Sequence, residues 1–326
     1  MKIIYSFWTK PFATISASGR ISNGWQGWTT KKITEESIEE SLNKAVKYYE
    51  IGAKIFKKLG YSIDLYTDNH GKKLIGDNNI YENIYTDLED LKDQPTELWS
   101  LAKVYSLSKA YLKSNEQTIH MDNDLFFSKL DLPKTQIESY WDVLVQSKEI
   151  NRHYNTYYRY SIEYFCEIFS IDNMKKLNLL TYNHAYNCGF LGFRNKDIAW
   201  IYLQEYFALY NKIVEQKSNL DKYILFKFSE NIPFGHNRSY KVNINCILEQ
   251  VLLTQVVSHY NLYAKEVIPV SLWQNPSNSN KKHPIEYIGF LGESIEELGF
   301  YHYSGGKKYS ADKIYKEILE KFEDNY

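Results

Sequence analysis

The chain has 326 residues, with 39 Lys and Arg against 40 Asp and Glu, for a net charge of −1. That length is enough for one large hydrophobic core, and the balanced charge excludes a strongly basic face, so no nucleic acid polymer is expected as a partner. Cys166, Cys188 and Cys246 are widely spaced and odd in number; they fit neither a disulfide framework nor a zinc motif and read as buried thiols of a reducing, cytoplasmic compartment.

Ile3–Trp8 reads as a buried first strand. Its apolar run breaks at Thr9, Lys10 and Pro11, too short for a secretory signal, and no stretch reaches the ~20 apolar residues of a membrane span, so no transmembrane segment is expected. The segment Phe12–Thr30, with Gly19, Gly24, Gly27, Trp25 and Trp28, reads as a loop able to cover a site. Thr34 then caps a helix with Glu35 and Glu36 in its first turn. Ile38, Leu42, Ala45, Val46, Tyr49, Ala53 and Phe56 follow at helical spacing, and Gly60 ends it.

Tyr61–Tyr66 predicts a second strand running into Thr67-Asp68, Asn83–Asp87 a weaker third, and Glu97–Leu112 a helix. A short strand from Gln117 follows and ends in Asp122-Asn123-Asp124, with Leu125-Phe126-Phe127 after it. Strand, helix, strand, strand, helix, strand is an α/β layout with a largely parallel sheet. Ligands of such sheets bind beyond the carboxyl ends of the strands, where Trp8, Asp68 and Asp122 all stand. Further on, Tyr154–Phe169, Ile198–Ile213 and Asn245–Tyr260 read as helices and Tyr182–Arg194 as extended. Asn275–His283 reads as a polar loop and Asp312–Phe322 as a closing helix. No repeat or clean linker divides the chain, which reads as a single domain over 1–326.

Two segments carry chemistry. Asp122 and Asp124, in an extended chain, put two carboxylates on one side. Hard oxygen ligands of that kind suit Mg²⁺ or Mn²⁺, with a substrate diphosphate completing the shell. The bland reading is a solvated turn, but a turn of solvated acids rarely needs three large apolar residues at once. In His302-Tyr-Ser-Gly305-Gly306-Lys-Lys308, a neutral imidazole can complete a Mn²⁺ site. The paired glycines let backbone approach a phosphate, and a lysine neutralises charge on a departing diphosphate. Glu249-Gln250 lies in an apolar helix, where an acid is either paired in the core or aimed into the site. His120 points to the same face as Asp122 and reads as a packed core histidine, with a site role as the alternative.

These elements, in this order, resemble the metal and diphosphate signature of GT-A glycosyltransferases. They are most similar to the retaining, family-8-like group of glycogenin and bacterial galactosyltransferase type. There an Asp-x-Asp after the fourth strand is joined by a C-terminal His-x-x-Gly-x-x-Lys, which His302, Gly305 and Lys308 match. Asn187-Cys-Gly189 resembles the family's Asn-x-Gly segment bordering donor sugar and acceptor. The helix Trp99–Leu107 resembles the one that offers the donor an arginine, with Lys103 in its place; a lysine cannot make the planar bidentate contact.

The resemblance implies a GT-A, Rossmann-like fold with a mixed, mostly parallel sheet flanked by helices. It also implies a nucleotide-binding half over 1–127 and an acceptor-binding half with the C-terminal motif over 128–326. The metal, Mn²⁺ or Mg²⁺, would be held by Asp122, Asp124 and His302. The nucleotide sugar, UDP-linked by resemblance, would meet Ser6, Trp8, Asp68, Lys103, Asn123, Gly305 and Gly306, with the cap of a turn as the alternative reading of Asp68. Asn187, Gly189, Glu249, Gln250 and Lys308 would serve catalysis. The acceptor would be a glycan, a lipid-linked sugar, a protein or a peptide. The competing expectations are a catalytically silent relative that binds nucleotide sugar or glycan, and a nucleotidyltransferase or phosphohydrolase on a related sheet.

Overall fold

Alternation sets the first strand. Ile3, Tyr5 and Phe7 pack into one apolar cluster and Ile4 into another, so β1 (Lys2–Phe7) is buried on both faces. The computed structural model describes residues 1–13, 35–127, 131–150, 154–171, 184–225, 243–268, 293–295, 300–302 and 320. After β1 come α1 (Lys10–Ala13), α2 (Glu35–Lys58), β2 (Ser62–Thr67), α3 (Asn69–Ile75), β3 (Asn83–Tyr85), α4 (Leu101–Lys113), β4 (Thr118–Met121) and β5 (Leu125–Phe127). Then follow α5 (Asp131–Glu138), β6 (Val143–Ile150), α6 (Tyr154–Ile168), β7 (His184–Phe193), α7 (Lys196–Glu215) and α8 (Lys217–Leu225). α9 (Ile244–Cys246) passes through a π-helical turn at Ile247–Val251 into α10 (Leu252–His259), and β8 (Ala264–Glu266), β9 (Glu293–Ile295) and β10 (Phe300–His302) complete the described elements.

Among the described residues, seven strands form one sheet in the order β3-β2-β1-β4-β7-β6-β8. Pairings β3-β2, β2-β1, β1-β4 and β6-β8 are parallel, and β7 runs antiparallel to both β4 and β6. The expected mixed, mostly parallel α/β architecture is what the chain adopts. α2 covers one face through Leu42, Ala45, Tyr49 and Phe56; α4, α7 and α10 cover the other through Leu107, Tyr202, Tyr206 and Val256. Among the described residues, no helix is long and apolar enough to cross a membrane.

Three details depart from the sequence reading. The helix expected from Glu97 begins at Leu101, and its start is capped from a distance: Asn245 Oδ1 accepts from Ser100 N at 2.9 Å. Strand β6, which polar Gln146, Ser147 and Lys148 hide from pattern reading, fills the sheet between β7 and β8. The Asp122–Asp124 triplet is a turn joining β4 to β5 rather than a strand end, so the strand period does not fix where its carboxylates point. A small second sheet, β5-β10-β9, begins where that turn ends.

Candidate functional site

β1 is followed in space by β2 on one side and β4 on the other, so strand order reverses between β1 and β4. A crevice opens beyond the carboxyl ends of strands at such a reversal. The chain places one there: Ser6 lines it from β1 and Trp8 from just past it, His120 from β4, and Asp122 and Asn123 from the turn that follows. Lys103 and Trp99 close it from α4 and its approach, and Tyr49 from α2.

Asp122 is fixed by backbone and by charge. Its N–H donates to Gly189 O at 2.9 Å, and its Oδ1 lies 2.9 Å from Lys103 Nζ. The same ammonium, only 4% exposed, donates to Cys188 O at 2.8 Å and to Glu249 Oε1. Burial opposes the charge on Lys103, but the fields of Asp122 and Glu249 outweigh it and hold the ammonium above the ordinary lysine range. Burial pushes the Glu249 carboxyl up to about 7 against the pull of Lys103. Glu249 sits in the π-helical turn, a distortion that re-aims one side chain out of the α-helical register. Of its two sequence readings, pairing in the core is the one found: it stands behind Lys103 and does not line the crevice. Gln250 follows it in that turn, half-buried, and its carbonyl accepts from Thr254 Oγ1.

The Asn187–Gly189 segment acts on the site through β7. Cys188 and Gly189 lend their carbonyls to Lys103 and Asp122. Asn187 Oδ1 accepts from Gly189 N at 3.0 Å, beside an irregularity in the β6-β7 register between Val145 and Ser147. A Cβ at Gly189 would stand 2.1 Å from Gln146 Oε1 and 2.9 Å from Leu125 Cδ1, so any larger residue must push those two side chains aside.

Around the carboxylates, Ser6 Oγ and His120 Nε2 share a hydrogen bond of 2.7 Å, and Tyr49 Oη donates to Ser6 O. Burial, then the nearby Lys103 charge, keeps His120 well below the usual histidine range, so its imidazole is neutral. Burial, then the fields of Asp122 and Asp124, pushes the Tyr49 phenol up. Asn123 and Asp124 are both buried, whereas Asp122 keeps partial exposure to the crevice. β10 pairs with β5 in antiparallel register, setting the His302 backbone opposite Leu125, the residue after Asp124. Sequence positions far apart are thereby brought to one turn. Among the described residues, no three His, Cys, Asp or Glu side chains converge as a finished metal site. What is present is a pair of carboxylates, Asp122 and Asp124, on one turn, with the β10 backbone at His302 paired to the residue that follows them.

The model of one protein family spans the whole chain, residues 1–326. The chain belongs to the family of unknown function DUF6734. No curated protein and no solved structure matches it.

Asp68 caps a helix, the second of its two sequence readings. Its Oδ1 caps α3 by accepting from Gly71 N, and its Oδ2 accepts from Thr9 N and Oγ1, each at 2.8 Å. That carboxylate ties the β1 and β2 exits together and does not line the crevice. Trp8 lines the crevice yet is 4% exposed and packs with the apolar cluster of α4, so it forms wall rather than an open stacking platform. Gly305, Gly306 and Lys308 lie outside the described residues, as do Asn275–His283 and Asp312–Phe322 except Glu320. Of the expected loop Phe12–Thr30, only Phe12 and Ala13 are described, and both belong to α1. Sequence reading passed over Tyr49, whose place in a helical apolar stripe marks it only as core, and ranked His120 as core; both line the crevice.

Proposed function

We propose that the protein is a metal-dependent glycosyltransferase of GT-A type. It would transfer a sugar from a nucleotide-diphosphate donor, a UDP-sugar by resemblance, to a glycan, lipid-linked sugar, protein or peptide acceptor. The observation that carries this reading is the juxtaposition at the β4-β5 turn. Asp122 faces a crevice at the strand-order reversal, Asp124 follows it, and the β10 backbone bearing His302 pairs with the next residue. Asp122, Asp124 and His302 would hold Mn²⁺ or Mg²⁺, and the ion's contribution is stabilisation of charge on the leaving diphosphate. Ser6, Trp8 and Asn123 frame the donor side. Asn187, Cys188 and Gly189 hold Asp122 and Lys103 in place. Glu249 acts through Lys103 as a positioning residue.

The test is a donor screen: the protein with Mn²⁺ and a panel of nucleotide sugars, read as release of free nucleotide. Metal-dependent release with at least one donor is expected, and no release across the panel counts against the enzyme reading. A second reading, a catalytically silent relative that binds nucleotide sugar, draws on the Lys103–Asp122 ion pair, which already gives that carboxylate a cation. Thermal stabilisation by UDP and Mn²⁺ with no donor turnover would favour it.

A further inference from the structure

His120 combines burial, position and an unsatisfied atom. It is 2% exposed and lines the crevice. Its Nε2 is held by Ser6 Oγ, while its Nδ1 has no hydrogen-bond partner among the described residues. A buried ring nitrogen left without a partner is costly and calls for an explanation, a bound ion among them. Asp122 Oδ1 stands 3.8 Å from that nitrogen. Two atoms bound to one divalent ion at about 2.1 Å each are at most about 4.2 Å apart, so a single ion spans this gap. Ligating histidines characteristically donate their other ring N–H to a fixed partner, which sets the tautomer and the ring orientation. Ser6 Oγ, with its own carbonyl held by Tyr49 Oη, is placed to be that partner.

We infer that His120 is itself a metal ligand, binding through Nδ1 beside Asp122, with Ser6 as the group that orients it. The inference rests on the reading of Asp122 as a metal ligand and changes what that site selects. An imidazole at the ion favours transition metals over Mg²⁺, which prefers all-oxygen shells. The site is therefore a Mn²⁺-type site, and one nitrogen ligand, His120, comes from the central sheet.

Electron spin-echo spectroscopy of Mn²⁺ bound to the full chain tests this without any donor. The wild type is expected to show modulation from a directly coordinated imidazole nitrogen. His302→Ala is expected to keep it, and His120→Gln to lose it with at least a tenfold weaker Mn²⁺ affinity. Loss of the signal in His302→Ala, or its persistence with unchanged affinity in a folded His120→Gln, overturns the assignment. Because His302→Ala leaves β1 and β4 untouched, the test holds even if His120→Gln fails to fold. Nucleotide release without the His120 signal would sink the inference and spare the glycosyltransferase reading. The signal without release would do the reverse.

Discussion

Lys103 Nζ lies 2.9 Å from Asp122 Oδ1, so the carboxylate nominated to hold a metal already shares a buried ammonium with Glu249. Removing one member of such a buried set strands the others, at a cost of about 3–5 kcal/mol. Lys103→Met is expected to destabilise the fold by that order in urea denaturation, and a second change, Glu249→Gln, to recover part of the loss. A single-variant cost below about 1 kcal/mol would show the set to be solvated rather than buried.

The pH dependence of stability follows from Glu249. Its folded pKa, about 7, lies above its unfolded value near 4.5. Its contribution is thus fully present below about 4.5 and is lost as pH rises through about 7. His120 acts with the opposite sign: its depressed folded pKa gives stability that is present above the unfolded value of 6.5 and lost as pH falls. Subtracting the stability profile of Glu249→Gln from that of the wild type between pH 4.5 and 8 should isolate a falling curve. A flat difference would contradict the burial of that acid.

Gly189→Ala is expected to disturb the site from behind. Its new methyl would meet the Gln146 side chain and that of Leu125, the residue after Asp124. Overpacking of this kind costs about 1–3 kcal/mol. The melting temperature should fall, and metal-dependent donor turnover should fall further than stability alone accounts for. Wild-type turnover would separate Gly189 from the site.

Asp68→Ala should act on the fold and not on the donor. It removes the α3 cap and both Thr9 contacts, for which a loss of about 0.5–2 kcal/mol from the cap alone is expected. The KM for a nucleotide sugar should stay unchanged in the folded fraction; a large rise in KM would restore the ribose role.

Asp124→Ala should abolish metal-dependent nucleotide release while leaving the central sheet folded, as judged by circular dichroism. Turnover that survives it would remove the β4-β5 turn from the metal site.

Much of the fold was legible because its signals are local. The apolar runs at Ile3–Trp8 and Tyr61–Tyr66 and the stripe through Leu42, Tyr49 and Phe56 became β1, β2 and α2 within a few residues. What pattern could not give is set by tertiary partners. The start of α4 depends on an asparagine about 145 residues downstream, and β6 is polar over its second half. The π-helical turn at Glu249 has no sequence period of its own. The same division holds at the site. Asp122, Lys103 and Gly189 stood out by motif, but their shared hydrogen bonds join β4, α4 and β7 and exist only once the sheet has formed. Asp68 carried two readings because a carboxylate at a strand end caps a helix and greets a ribose with the same geometry; the cap on α3 is the one seen.

The pairing of β10 with β5 divides the candidate metal set between two cooperative units. Asp122 is fastened to the seven-stranded sheet through Gly189, whereas β10 pairs, among the described residues, only with β5 and β9. Opening the small sheet would break none of the main sheet's strand pairings. His302 could therefore leave the turn by a local, sub-global event that circular dichroism and thermal melts barely register, but that faster amide exchange at Phe126 and Tyr301 would reveal. Occupancy of the site would then stabilise the small sheet selectively, making the exchange rate of three short strands a reporter of metal binding.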